Sequence, residues 1–338
     1  MIQISRPLNS AIFSGVLLLV GCATYHPAPI TSEKVQAELT PPDMNEVRIQ
    51  ADEFSHPLLE PVHFDDRDGL SPEEAAILAV IANPALRAIR DRRGLASAQL
   101  LQAGLLPNPQ LSYDLGIPVG GNTAGRVNRH DLSLGWEITS LIARGANMDA
   151  ARARLASVDL EVAWQEWQVA EAARLHLYRL IIAEKRLAAA KKAAASFQRF
   201  FEDVKQSVTL GIKTRIDLSS AETILREARS QLLNAQLTLD RERLSLNQAL
   251  GFPAGKVIPL QKNIVPRLKE CPPVETLFRE AEAGRFDLLA LKLGYESQEA
   301  RLRSAVRSQF PKINLGLAGG RDTDDIQTVG VGVSIDLP

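Results

Sequence analysis

The chain has 338 residues, 45% of them hydrophobic and 23% charged, with 39 basic against 40 acidic side chains, a composition typical of folded proteins. That balance excludes a basic nucleic-acid binder, and the two cysteines, Cys22 and Cys271, exclude a disulfide-stapled scaffold and a cysteine-rich zinc module. Length alone suggests two ordinary domains of about 150 residues each, but the distribution of residues along the chain argues otherwise.

Arg6 is followed by an apolar run of about ten residues, Ala11 to Val20, which suits a signal peptide over residues 1–21 and falls short of the roughly 18 needed to span a bilayer. The run closes in Leu19-Val20-Gly21-Cys22, which resembles a bacterial lipobox. The resemblance implies that Cys22 is lipidated and becomes the first residue of the mature protein; the alternative is an unmodified cysteine after a soluble-protein signal. Ala23, where an aspartate would resemble an inner-membrane retention signal, favours the outer membrane. Seven of the 19 prolines lie before residue 70, so residues 22–69 are expected to form an extended, lipidated linker that contributes nothing to a core.

From there the periodicity predicts a helix over 71–105, then strands over 109–117 and 130–138. Leu111, Tyr113, Leu115 and Ile117 alternate with polar or small residues, as do Leu132, Leu134, Trp136 and Ile138. Residues 146–210 contain neither glycine nor proline, and as a helix those 65 residues would run about 98 Å. Gly211 interrupts, and 212–250 again lack both breakers, which predicts a hairpin of a long helix, 146–209, and a return helix, 216–250. Leu180, Ala183, Leu187, Ala190, Ala194, Phe197, Phe201, Val204 and Val208 follow 3-4 spacing. On the return helix Leu218, Leu225, Leu232, Leu239 and Leu246 recur every seven residues, interleaved with Ala221, Ala228, Ala235, Glu242 and Ala249. Large residues alternating with small ones let two antiparallel helices approach closely. Glu242 breaks the pattern, and no basic residue stands three or four positions away on its own helix, so its partner must come from another element.

Residues 252–273 are expected to form a connector, the equatorial one in the arrangement that the resemblance given below implies. The stretch Gly251-Phe252-Pro253-Ala254-Gly255-Lys256-Val257 at its start is no phosphate loop, because it has three residues between the glycines and a valine where a hydroxyl would reach magnesium. A helix over 274–307 and strands over 312–319 and 327–337 follow, with Ile313, Leu315 and Leu317, then Val331, Val333 and Ile335, at alternate positions. These last elements repeat the earlier ones. Leu86 to Pro109 and Leu288 to Pro311 both span 23 residues at an offset of 202, which also pairs Ala98 with Ala300 and Leu111 with Ile313. The first unit is thus 70–251 and the second, 274–338, begins the same way. On that offset the sequence is expected to be incomplete, lacking about 115 residues with a second long hairpin.

The lipobox, Asn83-Pro84-Ala85-Leu86 leading to Leu106-Pro107-Asn108-Pro109, the Gly211 to Asp217 turn, Leu250-Gly251 and the duplication together resemble the TolC family of outer-membrane efflux factors, from Cys22 to Pro338. Gly104-Leu105-Leu106-Pro107-Asn108-Pro109 looks most like the heavy-metal branch typified by CzcC and CusC. The resemblance implies a mainly α protein with a transmembrane β part: four strands per chain in a trimeric 12-stranded barrel, and a periplasmic helical tube. It also implies a hairpin tip, Thr209, Leu210, Gly211 and Ile212, that docks a periplasmic adaptor, an inner-membrane pump of the RND type as energy source, and a gate carboxylate at Asp217. Helix-terminal roles compete at two of these positions, since Gly211 also supplies a positive φ and Asp217 an ordinary N-terminal cap.

Physics supports the barrel independently, because open strand edges in lipid leave backbone groups unpaired and the sheet must close with copies of itself. Lipid-facing candidates are Leu111, Tyr113, Leu115, Leu132, Leu134, Trp136, Ile313, Leu315, Leu317, Val331, Val333 and Ile335. Other features read as structural: His130 beside Asp131 as solvated polar surface, Trp164, Trp167 and His176 as packing, and Asp322, Asp324 and Asp325 as loop solvation. No acid–base pair, oriented nucleophile, metal set or cofactor fingerprint is present, which excludes an enzyme. The expected function is a passive export duct; a periplasmic adaptor, also lipidated and also carrying a helical hairpin, is the alternative, and a structural lipoprotein the third reading.

Overall fold

In the computed structural model, residues 27, 29–38, 40, 43–65, 67–261, 264 and 271–336 are described. The signal peptide, Cys22 and the last residue of the fourth expected strand, Leu337, lie outside them. The chain divides into two units, Met1–Thr40 and Pro41–Pro338. The first contains a short helix, α1 (Ser32–Glu38), whose start is marked by the Lys34 amide donating to the Thr31 hydroxyl at 3.3 Å. Everything below concerns the second unit.

Its helices are α2 (Met44–Asp52), α3 (Pro72–Ala82), α4 (Pro84–Gly104), α5 (Ser140–Thr209), α6 (Arg215–Ala249), α7 (Val274–Gly284) and α8 (Phe286–Arg307). Its strands are β1 (Gln110–Gly116), β2 (Arg129–Glu137), β3 (Lys312–Arg321) and β4 (Gln327–Asp336). The axis of the unit is α5, whose 70 residues extend about 105 Å. Along it pack α3 and α4 on one stretch, α6 on the tip half, and α8 on the half nearest the sheet. The α5–α6 contact uses the expected seam: Leu180, Ala183, Leu187, Ala194 and Val204 meet Ala221, Leu225, Ala228, Leu239 and Leu246, all buried, while Phe197 is partly exposed. Glu242 finds its partner across the seam, 3.2 Å from Nδ1 of His176. The α5–α8 contact is tied by reciprocal serine bonds: Ser157 donates to the Ala290 carbonyl and Ser297 to the Ala150 carbonyl, both at 2.8 Å.

Four expectations are corrected. The predicted helix 71–105 is two helices, because Pro84 has no amide to donate and holds Asn83 extended at φ −66°, ψ 118°. The Asn83 side chain caps α4 and ties it to the end of α6: its Oδ1 accepts from the Ala85 amide at 2.8 Å, and its Nδ2 donates to the Ala249 carbonyl at 3.0 Å. The predicted helix 274–307 breaks at the equivalent repeat position, Arg285, whose guanidinium is clamped on Asp287 at 2.8 and 2.6 Å and lies 5.4 Å over the Trp164 ring. The long helix starts at Ser140, not 146. Gly145 is tolerated inside it, since one interior glycine costs about 1 kcal/mol and Ala143 and Ala146 are buried on either side.

Finally, the segment before residue 70 is not a coreless linker. Val47 and Ala51 of α2 and Phe64 join α3, α5 and α6 in the main core, and Leu59 joins Ala76, Val80, Leu86 and Ala170. Prolines space this strap, but its scattered apolar side chains fill the grooves it crosses.

Candidate functional site

Two regions carry the candidate residues. In the sheet, β1-β2-β3-β4 form an antiparallel meander. Tyr113 lies opposite Leu132, Leu111 opposite Leu134, Leu134 opposite Leu317, Trp136 opposite Leu315, Leu317 opposite Val331, Leu315 opposite Val333 and Ile313 opposite Ile335. With Leu115, two residues from Tyr113, all twelve lipid-facing candidates stand on one face. Ten of them are exposed; Trp136 and Ile313 are half-buried. The other face carries Ser112, Asp114, Asp131, Ser133, Gly316, Ala318, Gly330, Gly332 and Ser334. Both outer edges, of β1 and of β4, lack a partner strand among the described residues.

The sheet runs into the rod with almost no linker, since only Ile138 and Thr139 separate β2 from α5. Thr139 accepts the Ile313 amide at 2.6 Å and donates to the Pro311 carbonyl at 3.2 Å. The Trp136 indole donates to the Pro107 carbonyl at 2.8 Å, and Arg144 donates twice to the Gly104 carbonyl at 3.0 and 2.6 Å. All three ties fix the sheet's angle to α5.

At the other end of α5, the chain reverses through Gly211 at φ +72°. The Ile212 amide donates to the Ser207 carbonyl at 2.9 Å and the Gly211 amide to the Val208 carbonyl at 3.1 Å, a Schellman closure that requires the left-handed residue. The Thr209 hydroxyl donates to the Gln206 carbonyl. The return helix opens with a reciprocal capping box: Asp217 Oδ2 accepts from the Thr214 amide at 2.8 Å and hydroxyl at 2.7 Å, and the Asp217 amide donates back to Thr214 Oγ1 at 3.2 Å. These bonds from Thr214, helped by the Lys213 charge, hold the Asp217 carboxyl below its ordinary value. Between the two locks, Leu210 and Ile212 are 67% and 73% exposed. Ile216, 78% exposed, joins them; it had a signal, four residues after Ile212 and off the heptad seam. Lys213 reaches back over the Phe200 ring at 5.7 Å.

A third cluster had no sequence signal, because its members are far apart in the chain. Glu166 accepts from Arg90 Nε at 2.6 Å and lies 3.4 Å from His56 Nε2. Nε2–H of His56 donates to the Ala163 carbonyl at 3.2 Å and its Nδ1 accepts the Leu58 amide at 3.1 Å. Burial pushes the Glu166 carboxyl up, but the adjacent His56 Nε2–H, shared with the Ala163 carbonyl, and the charge and hydrogen bond of Arg90 outweigh it and leave it below its ordinary value. The cluster pins the strap to α5 rather than building a reaction centre. The loop aspartates are likewise occupied: Asp322 accepts the Asp324 and Ile326 amides at 2.8 and 3.0 Å, Asp324 meets Arg126, and Asp325 meets Arg321. Among the described residues no helix is long and apolar enough to cross a membrane.

Residues 78–252, more than half of the chain, match the outer membrane efflux protein family. The chain belongs to this family. Outer membrane efflux proteins are transport ducts, not enzymes, which sets aside the adaptor reading as well as catalysis. Among solved structures the chain is similar to a membrane protein from Pseudomonas aeruginosa (17% identity, TM-score 0.66, covering 84% of this chain and 72% of that one). It is also similar to CusC (17%, 0.62, 84% and 72%) and to the CmeC outer membrane channel of Campylobacter jejuni (16%, 0.61, 86% and 67%). At these identities the likeness shows the fold. No curated protein sequence matches the chain.

Proposed function

We propose that the chain is one subunit of an outer-membrane duct that passively exports substrates delivered by an inner-membrane pump, of RND type, through a periplasmic adaptor. The observation that carries this reading is the sheet: one face apolar and exposed, two edges open, and a rod attached through two residues. In hydrocarbon each unpaired edge group costs several kcal/mol. Because the sheet has four antiparallel strands, β1 and β4 run in opposite directions, so β4 of one copy can pair antiparallel with β1 of the next and the ring closes without a mismatch. Three copies give twelve strands, an even number wide enough for a water-filled bore. The apolar face then meets lipid and the Ser, Gly and Asp face lines the bore.

On this reading the rods extend into the periplasm and the exposed Leu210, Ile212 and Ile216 at the tip take the adaptor, with Thr209 and Gly211 shaping the turn. Asp217 serves first as the cap of the return helix; a part in closing the periplasmic end is added to that role. Lipidation at Cys22 anchors the N-terminus, and Cys22→Ala should abolish incorporation of labelled palmitate. The decisive experiment is planar-bilayer recording from the full chain after trimer assembly is verified by mass. Stepwise conductance is expected, and its absence from assembled trimers overturns the duct.

A further inference from the structure

We propose that lipid contact does not stop at the sheet: acyl chains of the periplasmic leaflet cover a collar on the rod, made of Leu101, Leu105 and Leu106 at the end of α4. The proposal rests on the reading that the apolar face of the sheet meets lipid, and it adds a helical surface to that contact.

The sheet alone is too short for the hydrocarbon. Its apolar rows run from Tyr113, Leu132 and Val329 to Ile313 and Ile335, six residues along β4. Six residues rise about 20 Å along a strand. At a tilt of about 40° that is about 15 Å along the membrane normal, whereas the apolar band of such barrels is about 25 Å tall. The remaining height, about 10 Å, is not found at the loop end. There the next row, His130, Arg321 and Gln327, is polar, and Asp322, Asp324 and Asp325 follow it. The rod end supplies it. Residues 94–113 contain no Asp, Glu, Lys, Arg or His. Below β1 come Leu106 and Leu105, then the last turn of α4 with Leu101, and these three are 55%, 64% and 71% exposed. Two extended residues and four helical ones add about 10 Å. Leu95, also exposed, lies about 9 Å further down α4 and falls below the band.

The collar is continuous with the lipid-facing side, because the indole of Trp136, one of the twelve candidates on that face, donates to the Pro107 carbonyl at 2.8 Å. Backbone in lipid must find its partners within the protein, and the collar meets much of that demand. Pro107 and Pro109 have no amide to satisfy. The Leu105 amide donates to the Gln102 carbonyl at 3.2 Å, and the Gly104 carbonyl, at the helix end, accepts twice from Arg144. On α8, Arg303 and Arg307 stand 202 residues beyond Leu101 and Leu105, at the same level by the repeat, and both are exposed. Their long stems carry the charges toward the headgroups, so this level is the lower edge of the hydrocarbon.

The test is site-directed spin labelling of the full chain, reconstituted into dioleoyl phosphatidylcholine vesicles, with Cys22 and Cys271 replaced by serine. One cysteine at a time replaces Leu101, Leu105 or Leu106, or a reference residue: Leu111 and Val331 on the apolar face, Ser112 on the other face, and Leu95 below the collar. Collision of the label with oxygen, which concentrates in hydrocarbon, is compared with collision with a nickel chelate, which stays in water. The three collar sites should follow Leu111 and Val331, with an oxygen-to-nickel ratio several-fold above that at Ser112 and Leu95. A nickel preference at all three collar sites, with Leu111 and Val331 still favouring oxygen, overturns the collar and leaves the sheet in lipid. Low collision with both reagents at the collar, the sign of a second protein surface packed there, overturns it too. A nickel preference at Leu111 and Val331, or failure of the wild-type chain to insert, overturns the membrane reading beneath it.

Discussion

Gly211 and Gly251 sit at the same position of two helix ends, with φ +72° and +71°, yet they should respond differently to one added methyl group. Around Gly211 a Cβ meets nothing within 4 Å, so Gly211→Ala should cost only the left-handed backbone penalty, about 1 kcal/mol. At Gly251 the same atom would lie 2.6 Å from the Ala82 carbonyl oxygen. Gly251→Ala should therefore cost about 3 kcal/mol or more, by adding overlap in a packed junction to the same penalty, and urea melts of the two variants compare them directly. Glu166 supplies the pH-dependent case. Its folded-state pKa is depressed, so its contribution is fully present above the unfolded glutamate value, about pH 4, and is lost as pH falls through the lower folded value. Glu166→Gln should destabilise the wild-type fold by about 2 kcal/mol at neutral pH and flatten this part of the acid dependence, which thermal melts between pH 7 and pH 3 would show. Neither effect is legible in the sequence. Gly251 reads as a helix stop and no more, and Arg90, Glu166 and His56 are brought together only by the packing of α4 and the strap on α5.

Elements were legible where periodicity is long. The return helix declares its buried face through leucines every seven residues, and α6 spans Arg215–Ala249 against an expected 216–250. Ala228, 5% exposed on that seam, permits close approach to α5. Ala228→Trp should overpack it by about 1–3 kcal/mol or more, whereas Gln236→Trp on the exposed side should leave the melting temperature within about a degree or two; equal effects would refute the seam. The strands were equally readable, because one residue of slip would turn every apolar side chain to the other face. What periodicity does not report is where a helix bends or a strap docks. The break at Arg285 has no proline, and follows from the clamp on Asp287 and the ring of Trp164. The strap's Val47, Leu59 and Phe64 have no period at all, and their burial depends on grooves made by elements further along the chain.

At the scale of the molecule, the arrangement of faces predicts how the chain meets a membrane. Val331 and Ser334 stand on opposite faces of the edge strand β4. A lysine at Val331 should cost about 2–4 kcal/mol per subunit if that position lies at mid-bilayer depth, and should reduce vesicle insertion, measured by flotation, far more than a lysine at Ser334. Equal insertion of the two variants would refute the assignment of faces. The junction at Asn83 sets a different constraint. Its side chain grips the Ala249 carbonyl, 166 positions away, and Gly251 closes on the Ala82 carbonyl beside it. As the polypeptide emerges N-terminus first, α3 and α4 have no completed return helix to lock onto until residue 251 has appeared. The N-terminal segments must then wait, with Ile77 and Leu78 not fully buried, for a loop of that size to close. This interval is when a holding chaperone would have most to protect.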